Sequence, residues 1–225
     1  MILFAGLGNP GRKYVRHRHN VGYMAVEHIA TRFGFPAWSR KFQGLASNGR
    51  IDGVRVVLLK PETMMNESGR SVSEAQRFFR IEPKNVVVFH DEIDLAPGKC
   101  RVKAGGGTAG HNGLRSIDSH LGKDFRRVRI GIGHPGHKSR VTSHVLGNFS
   151  TSDAAWLDPL LDAVAKAAPF IVSGDDNAFM NECARIRRAA ETLAGHADNE
   201  SPRRRQSDAP GASSLLRQLL NRLRN

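Results

Sequence analysis

The chain opens with the stretch Met1-Ile2-Leu3-Phe4-Ala5-Gly6-Leu7-Gly8-Asn9-Pro10-Gly11. Its first seven residues form a short apolar run of the kind that makes a buried strand. The Gly-Asn-Pro-Gly sequence that follows is typical of a turn. The opening therefore predicts a buried strand that ends in a glycine-rich turn, which is a common first unit of folds that combine strands with helices.

The rest of the chain continues to interleave helical and strand patterns. We predict helices at 20–34, 68–79, 112–121, 153–171 and 176–194, and strands at 43–48, 54–60, 85–90, 100–104 and 127–133. Asn20 is predicted to cap the first helix, and Pro159 to interrupt the fourth. Strands 43–48 and 54–60 flank Asp52-Gly53, which predicts an antiparallel hairpin. We therefore predict an α/β fold, a single-domain α/β sandwich in which helices flank a twisted mixed sheet.

The composition changes near residue 195. Residues 195–213 are rich in Ser, Pro, Arg, Asp and Gly and have no apolar periodicity, which predicts disorder. Helical spacing of leucines returns at 215–223, beside arginines. We predict one catalytic domain at 1–194, and a basic, disordered tail at 195–225 that ends in a short amphipathic helix.

The charge balance indicates a polyanionic partner. The chain carries a formal charge of +13, with a pI near 10.6. Residues 185–225 account for +5 of this, so the predicted domain is itself basic. Nucleic acid and an anionic membrane surface both fit. No run of about eighteen apolar residues is present, so a membrane span is not expected.

Other features of the sequence predict a cytoplasmic protein. The N-terminus has no basic segment ahead of its apolar run and no cleavage site, so a secretory signal is not expected. The two cysteines, Cys100 and Cys183, are far apart and do not have the spacing of a metal site. A disulfide framework is therefore not indicated, and a reducing compartment is predicted.

Three familiar kinds of site can be weighed against the sequence. Gly6-x-Gly8-x-x-Gly11 matches a dinucleotide fingerprint, but Pro10 lies within it and no acidic residue ends a second strand at the required distance. Zinc ligation by His17, His19, His134 and His137 lacks supporting carboxylates or cysteines. The third kind, a magnesium nuclease built on Asp91, Glu92 and Asp94, stays open as an alternative.

One set of polar residues is chemically coherent. Asn9, Asn66 and Asn112 occur in turn-like or glycine-rich settings, and asparagine can bind amides and ribose hydroxyls without adding charge. Asp91 follows a predicted buried strand, at a position where α/β sheets commonly place active groups. A histidine held by an aspartate, here His19 by Asp91, can deprotonate water. No serine or cysteine lies in a nucleophile elbow, so water is the expected nucleophile.

Five separated motifs resemble the bacterial-type peptidyl-tRNA hydrolase family, in the order in which that family has them. The match as a whole runs from residue 1 to about residue 190. The motifs are Gly6-Leu7-Gly8-Asn9-Pro10-Gly11-x-x-Tyr14-x-x-x-Arg18-His19-Asn20-x-Gly22, Lys60-Pro61-x-Thr63-x-Met65-Asn66-x-Ser68-Gly69, His90-Asp91-Glu92-x-Asp94-Leu95-x-x-Gly98, Gly105-Gly106-Gly107-x-x-Gly110-His111-Asn112-Gly113 and Arg129-Ile130-Gly131-Ile132-Gly133-His134-Pro135. The chain departs from the family pattern at Met64 and at Thr108-Ala109.

The resemblance implies hydrolysis of the ester that joins a peptide to the 3′ ribose of tRNA, by a monomer that needs no metal or cofactor. The implied catalytic residues are His19, Asp91, Asn9 and Asn112. His19 would be the general base and Asp91 would orient and polarise it. Asn112 would hold the peptide and the terminal adenosine, and would also help to position water or the oxyanion. Asn9 and Asn66 would hold the peptide and the terminal adenosine. The other implied substrate-binding residues are Tyr14 and Met65 along the peptide and adenosine grooves, Val145 in the covering helical segment, Asn20 and His111 within the first and fourth motifs, and Lys103 and Arg129 at the 5′-phosphate of the acceptor stem. A non-catalytic RNA-binding relative remains a second alternative.

Overall fold

The computed structural model describes residues 1–185 and Arg188, and these residues form a seven-stranded sheet flanked by helices. The strand order is β2-β3-β4-β1-β5-β7-β6. The strands are β1 (Ile2–Gly6), β2 (Ser39–Lys41), β3 (Gly44–Ile51), β4 (Val54–Pro61), β5 (Val86–Glu92), β6 (Cys100–Ala104) and β7 (Arg126–Gly131). The four strands β4, β1, β5 and β7 are parallel, and β2, β3 and β6 are antiparallel to their neighbours. The predicted mixed sheet and its β3–β4 hairpin are therefore confirmed.

The helices lie close to their predicted positions. They are α1 (Val21–Arg32), α2 (Ser68–Phe78), α3 (Asn112–Leu121), α4 (Val141–Val145) and α5 (Ala154–Ser173), and residues 176–185 are also helical. The predicted interruption at Pro159 is wrong, because α5 continues through Pro159 and Pro169. Each proline removes one helical hydrogen bond. The buried apolar face of α5, which includes Leu160 and Val164, offsets that loss.

Two apolar layers enclose the sheet. One core lies on the side of α1 and α5, and the other lies on the side of α2 and α3. Adjacent residues of β1 belong to different cores, since Phe4 packs in the first and Leu3 in the second, and neither is exposed. A central strand that is buried on both faces is therefore apolar throughout, as the opening sequence is.

A close approach between two glycines fixes where α1 begins. A Cβ on Gly22 would lie 2.2 Å from the carbonyl oxygen of Phe89, and a Cβ on Gly6 would lie 2.3 Å from the carbonyl oxygen of Gly22. Only glycine allows the start of α1 to lie directly against the carboxyl ends of β1 and β5. This packing carries His19, just ahead of α1, to the end of the strand that holds Asp91.

The predicted tail at 195–225 lies outside the described residues, as does the end of the helix predicted at 176–194. Among the helices that the structure describes, none combines the length and the apolar character needed to cross a bilayer.

Candidate active site

A cleft of about 810 Å³ lies beyond the carboxyl ends of the parallel strands. The turn after β1, the loop after β4, the end of β5, the start of α3 and helix α4 all contribute to it. Its polar and apolar lining includes Asn9, His19, Met64, Met65, Asn66, Asp91, Glu92, His111, Asn112, Arg115, His134, Lys138 and Val145. The topology of the sheet therefore brings residues from all five sequence motifs to one opening.

His19 and Asp91 form the central contact of this cleft. Nδ1 of His19 lies 2.8 Å from Oδ1 of Asp91, and both side chains are largely buried. Burial by itself would lower the pKa of His19, but the charge and hydrogen bond of Asp91 raise it above the ordinary value. Because Nδ1 donates to the carboxylate, Nε2 is the ring atom left to accept a proton.

His111 binds the same carboxylate oxygen from the other side. Its Nε2 lies 3.0 Å from Oδ1 of Asp91, and its Nδ1 accepts the backbone N–H of Leu114 at 3.3 Å. That second contact assigns the proton to Nε2, so His111 donates to Asp91. Burial would raise the pKa of Asp91, but the two histidines lower it below the ordinary value. The sequence placed His111 in a motif but offered no signal that it would hold Asp91.

His90 is a fully enclosed neighbour of this group. Its Nδ1 donates to the backbone oxygen of Asp91 at 2.7 Å, and its ring centroid lies 5.0 Å from that of His111. Burial, followed by the neighbouring His111, lowers the pKa of His90 to about 3. His90 is therefore neutral at physiological pH and serves as packing beneath His111.

Three hydrogen bonds hold Asn9 in place, and they use the oxygen of its side-chain amide but not the nitrogen, Nδ2. Its Oδ1 accepts the backbone N–H of Met65 at 2.9 Å, while its own backbone N–H and C=O both bond to the side chain of Asn20 at 2.9 Å. Nδ2 of Asn9 is thereby left as a donor toward the cleft. The predicted capping role of Asn20 is wrong, because its amide bonds to Asn9 and makes no cap hydrogen bond to α1.

The loop after β4 and the start of α3 meet at a tight contact. A Cβ on Gly113 would lie 2.6 Å from Sδ of Met65, so a glycine is needed for the two segments to approach. Asn66 and Asn112 are exposed in the cleft on either side of this contact. Val145 of α4 also lines this cleft.

Four of the expected substrate-binding residues do not line the cleft. Tyr14 packs its ring at 5.1 Å from that of His17, and Asn20 is buried behind Asn9. Lys103 and Arg129 lie on β6 and β7. Nε of Arg129 donates to Glu92 at 2.9 Å.

The structure can be compared with the two metal sites considered from the sequence, zinc bound by histidines and magnesium bound by carboxylates. Nitrogen and oxygen atoms of His19, Asp91 and His111 lie within 4.8 Å of one another, a grouping that the histidine spacing did not reveal. The magnesium alternative needs the carboxylates to converge, but Asp91 is held by two histidines. Glu92 is bonded to Arg129 and to the backbone N–H of Asp94. This arrangement does not favour a magnesium nuclease.

Comparison with known proteins agrees with the motif pattern. The family model described as peptidyl-tRNA hydrolase matches residues 3–191. The peptidyl-tRNA hydrolase of Dinoroseobacter shibae is 52% identical over 213 residues, which cover 95% of this chain and 91% of the relative. That of Bradyrhizobium diazoefficiens is 60% identical over 181 residues, which cover 80% and 90%.

A solved structure agrees as well. The crystal structure of peptidyl-tRNA hydrolase from Acinetobacter baumannii has a TM-score of 0.77 and 42% identity, with 81% of this chain and 94% of that chain covered. Both the sequence and the fold therefore match one family across most of the chain. This chain belongs to the peptidyl-tRNA hydrolase family.

Proposed function

We propose that this protein hydrolyses the ester between a peptide, or an N-blocked amino acid, and the 3′ ribose of tRNA, and so returns tRNA from prematurely released peptidyl-tRNA. Family membership supports the reaction, and one observation supports the mechanism. Nδ1 of His19 is bonded to Asp91 at 2.8 Å within a cleft large enough for a substrate end. The non-catalytic RNA-binding alternative is not favoured, because the histidine–aspartate pair and all three asparagines are present.

In the proposed reaction, Nε2 of His19 takes a proton from water as the oxygen attacks the ester carbonyl. The carbonyl becomes a tetrahedral oxyanion, and the bond to the ribose 3′ oxygen then breaks. His19 returns its proton to that oxygen, so the products are a free carboxylic acid and a 3′ hydroxyl. Asp91 stabilises the transient imidazolium and keeps the ring in the productive tautomer.

The three asparagines supply neutral donors around this centre. Nδ2 of Asn9 is the free group of an amide whose oxygen is bonded to Met65, so Asn9 donates to the peptide or the terminal nucleoside. Asn66 contacts the same substrate end from the loop after β4. Asn112 begins α3, where the helix dipole also favours negative charge. A donor at this position stabilises the oxyanion by ~3 kcal/mol in comparable sites.

The basic edge of the sheet contacts the tRNA outside the cleft. Lys103 and Arg129 lie on adjacent strands, and we propose that they contact the 5′-phosphate of the acceptor stem. Asn20 supports the turn that carries Asn9 from behind, through its two bonds to the Asn9 backbone, while His111 lines the cleft and donates to Asp91. Tyr14 keeps its proposed place along the peptide and adenosine grooves. The protein acts as a monomer in the cytoplasm, with its catalytic domain at 1–194 and an accessory tail at 195–225.

The catalytic steps above require no metal, since water is activated by His19 and charge is stabilised by amide and helix donors. The direct test is release of the blocked amino acid from N-blocked aminoacyl-tRNA by purified protein. We expect turnover to continue in the presence of excess EDTA. Loss of turnover with EDTA, restored by added metal, would assign the His19, Asp91 and His111 group to a metal instead.

A further inference from the structure

A glycine loop, residues 105–110, joins β6 to α3 and lines part of the cleft. Four of its six residues have positive φ, and one of these is Ala109 at 48°, a conformation that a side chain disfavours. Because glycine also loses the most conformational freedom on folding, such a loop needs contacts that hold it in one position. Its position matters, since it leads directly into His111 and Asn112.

Arg127 of β7 lies directly against this loop. It is only 3% exposed, and its Nη1 donates to the backbone oxygen of Gly107 at 2.7 Å. The ring of Phe125 lies 5.8 Å from its Cζ. Nε and Nη2 are buried without a partner, so the bond to Gly107 is the only hydrogen bond of this side chain within the described part of the chain. A hydrogen bond from a charged donor is stronger than one between neutral groups, so this contact fixes the middle of the loop.

The loop approaches Arg127 too closely for a side chain at Gly106. A Cβ there would lie 3.1 Å from Nη2 of Arg127, and the φ of Gly106 is 88°. The start of the loop is held as well, because the backbone N–H of Gly105 donates to the oxygen of Phe125 at 3.3 Å. The loop is therefore bound to the beginning of β7 at two points.

A short chain of bonds connects Arg127 to the catalytic pair. The backbone oxygen of Thr108, in the middle of the loop, accepts the N–H of His111 at 2.9 Å. Nε2 of His111 in turn donates to Asp91 at 3.0 Å. A displacement of the loop would therefore move His111 and, with it, Asn112 at the start of α3.

We propose that Arg127 is a positioning residue for the hydrolysis, which holds the glycine loop on the sheet and so keeps His111 and Asn112 in place. This inference rests on the proposed function. In this role Arg127 does not touch the substrate, and the proposed phosphate contact of Lys103 and Arg129 is unaffected. The effect falls on the chemical step, because misplacing a catalytic group by about 1 Å can cost ~100-fold in rate.

The first test measures kcat and KM of Arg127→Gln on N-blocked aminoacyl-tRNA. We expect kcat to fall by roughly 10- to 100-fold, while KM changes little because the phosphate contacts remain. The fall should be the same for substrates with a 5′-phosphate and with a 5′-hydroxyl. Arg127→Lys keeps a charged donor and should recover part of the lost kcat. A defect confined to the 5′-phosphorylated substrate would overturn the positioning role.

Arg126 provides a matched control on the same strand. It is also a largely buried arginine, and its Nη1 donates to a backbone oxygen, that of Ile171 in α5, at 2.8 Å. Adjacent residues of a strand point to opposite faces, so this bond lies away from the glycine loop. Arg126→Gln should lower the Tm but keep kcat and KM near those of the wild type. An equal fall of kcat in Arg126→Gln and Arg127→Gln would reduce the effect to general stability and overturn the proposal.

Hydrogen exchange detects release of the loop directly. In Arg127→Gln the amides of Gly105 and His111, whose hydrogen bonds hold the two ends of the loop, should exchange faster than in the wild type. Amides of the central strand β1 should keep their protection. Unchanged exchange at Gly105 and His111 would show that Arg127 does not hold the loop.

Gly106→Ala tests the same contact from the side of the loop. Its Cβ would collide with the guanidinium of Arg127, so we expect faster loop exchange and a lower kcat, and the fall should not multiply with that of Arg127→Gln in the double variant. Because Gly106 is exposed, this variant and Arg127→Lys carry the test if Arg127→Gln does not fold. If the wild type does not hydrolyse the substrate, the proposed function fails. If the wild type is active and folded Arg127→Gln keeps full kcat, only the positioning role is overturned.

Discussion

Nδ1 of His19 and Oδ1 of Asp91 lie 2.8 Å apart, although 72 positions of sequence separate the two residues. The contact forms because β1 and β5 are parallel neighbours and α1 starts directly against their carboxyl ends. It raises the pKa of the histidine, lowers that of the aspartate and leaves Nε2 of His19 as the proton acceptor. The main functional predictions follow from this pair.

Replacing His19 by alanine should remove the proton acceptor without disturbing the phosphate contacts. We expect kcat to fall by roughly 10²–10⁴-fold, the range for loss of a positioned general base, with little change in substrate affinity. Single-turnover hydrolysis and equilibrium binding of N-blocked aminoacyl-tRNA measure the two effects. Near-normal turnover in folded His19→Ala protein would contradict the mechanism.

Asp91 should act through His19, so the reductions in kcat caused by the two single substitutions should not multiply in the double variant. The double variant His19→Ala/Asp91→Ala should be scarcely slower than His19→Ala alone, because groups that work as a unit lose their effect together. The comparison needs kcat for both single variants and the double variant. Multiplicative losses would give Asp91 a separate task, such as metal binding.

The pH dependence of kcat/KM should show the raised pKa of His19. The neutral imidazole is the active form, so the rate should fall as the pH drops through this pKa, at a higher pH than for an ordinary histidine. In Asp91→Asn the anionic partner is lost while burial remains, so the acidic limb should move to lower pH and the plateau should drop. An unchanged limb in Asp91→Asn would assign it to another group.

Lys103 should contribute to the affinity for tRNA rather than to the chemical step. Lys103→Gln should weaken tRNA binding and reduce the slope of log K against log salt by about one, as expected for one lost phosphate contact. Its kcat at saturating substrate should stay near that of the wild type. A fall in kcat with an unchanged salt slope would place Lys103 in the catalytic centre.

Removal of the tail should leave the enzyme active. The five motifs lie before residue 194, so a chain that ends there should fold and keep a near-normal kcat on N-blocked aminoacyl-tRNA. Far-UV circular dichroism, Tm and kcat check the truncated protein. If the truncated protein folds but its kcat falls sharply, the domain boundary has been misplaced.

The alternation of helices and strands could be predicted from the sequence because it depends on residues that are close together in the chain. The apolar run of β5, the Asp52-Gly53 turn and the helical spacing of α3 are each local patterns, and each forms where it was predicted. Pro159 shows where local rules fail, since burial along the whole of α5 outweighs one missing hydrogen bond. The motifs also named His19, Asp91 and the three asparagines.

The pairing of side chains was decided only by the tertiary structure. His111 binds Asp91, Asn20 bonds to Asn9 rather than capping α1, and Arg127 is left buried beside Lys103. These contacts depend on strand order, on register and on glycines that permit close approach. A single sequence does not indicate which residues far apart in the chain will be in contact. The sequence therefore determined which chemical groups were available, and the packing of the sheet determined which of them meet.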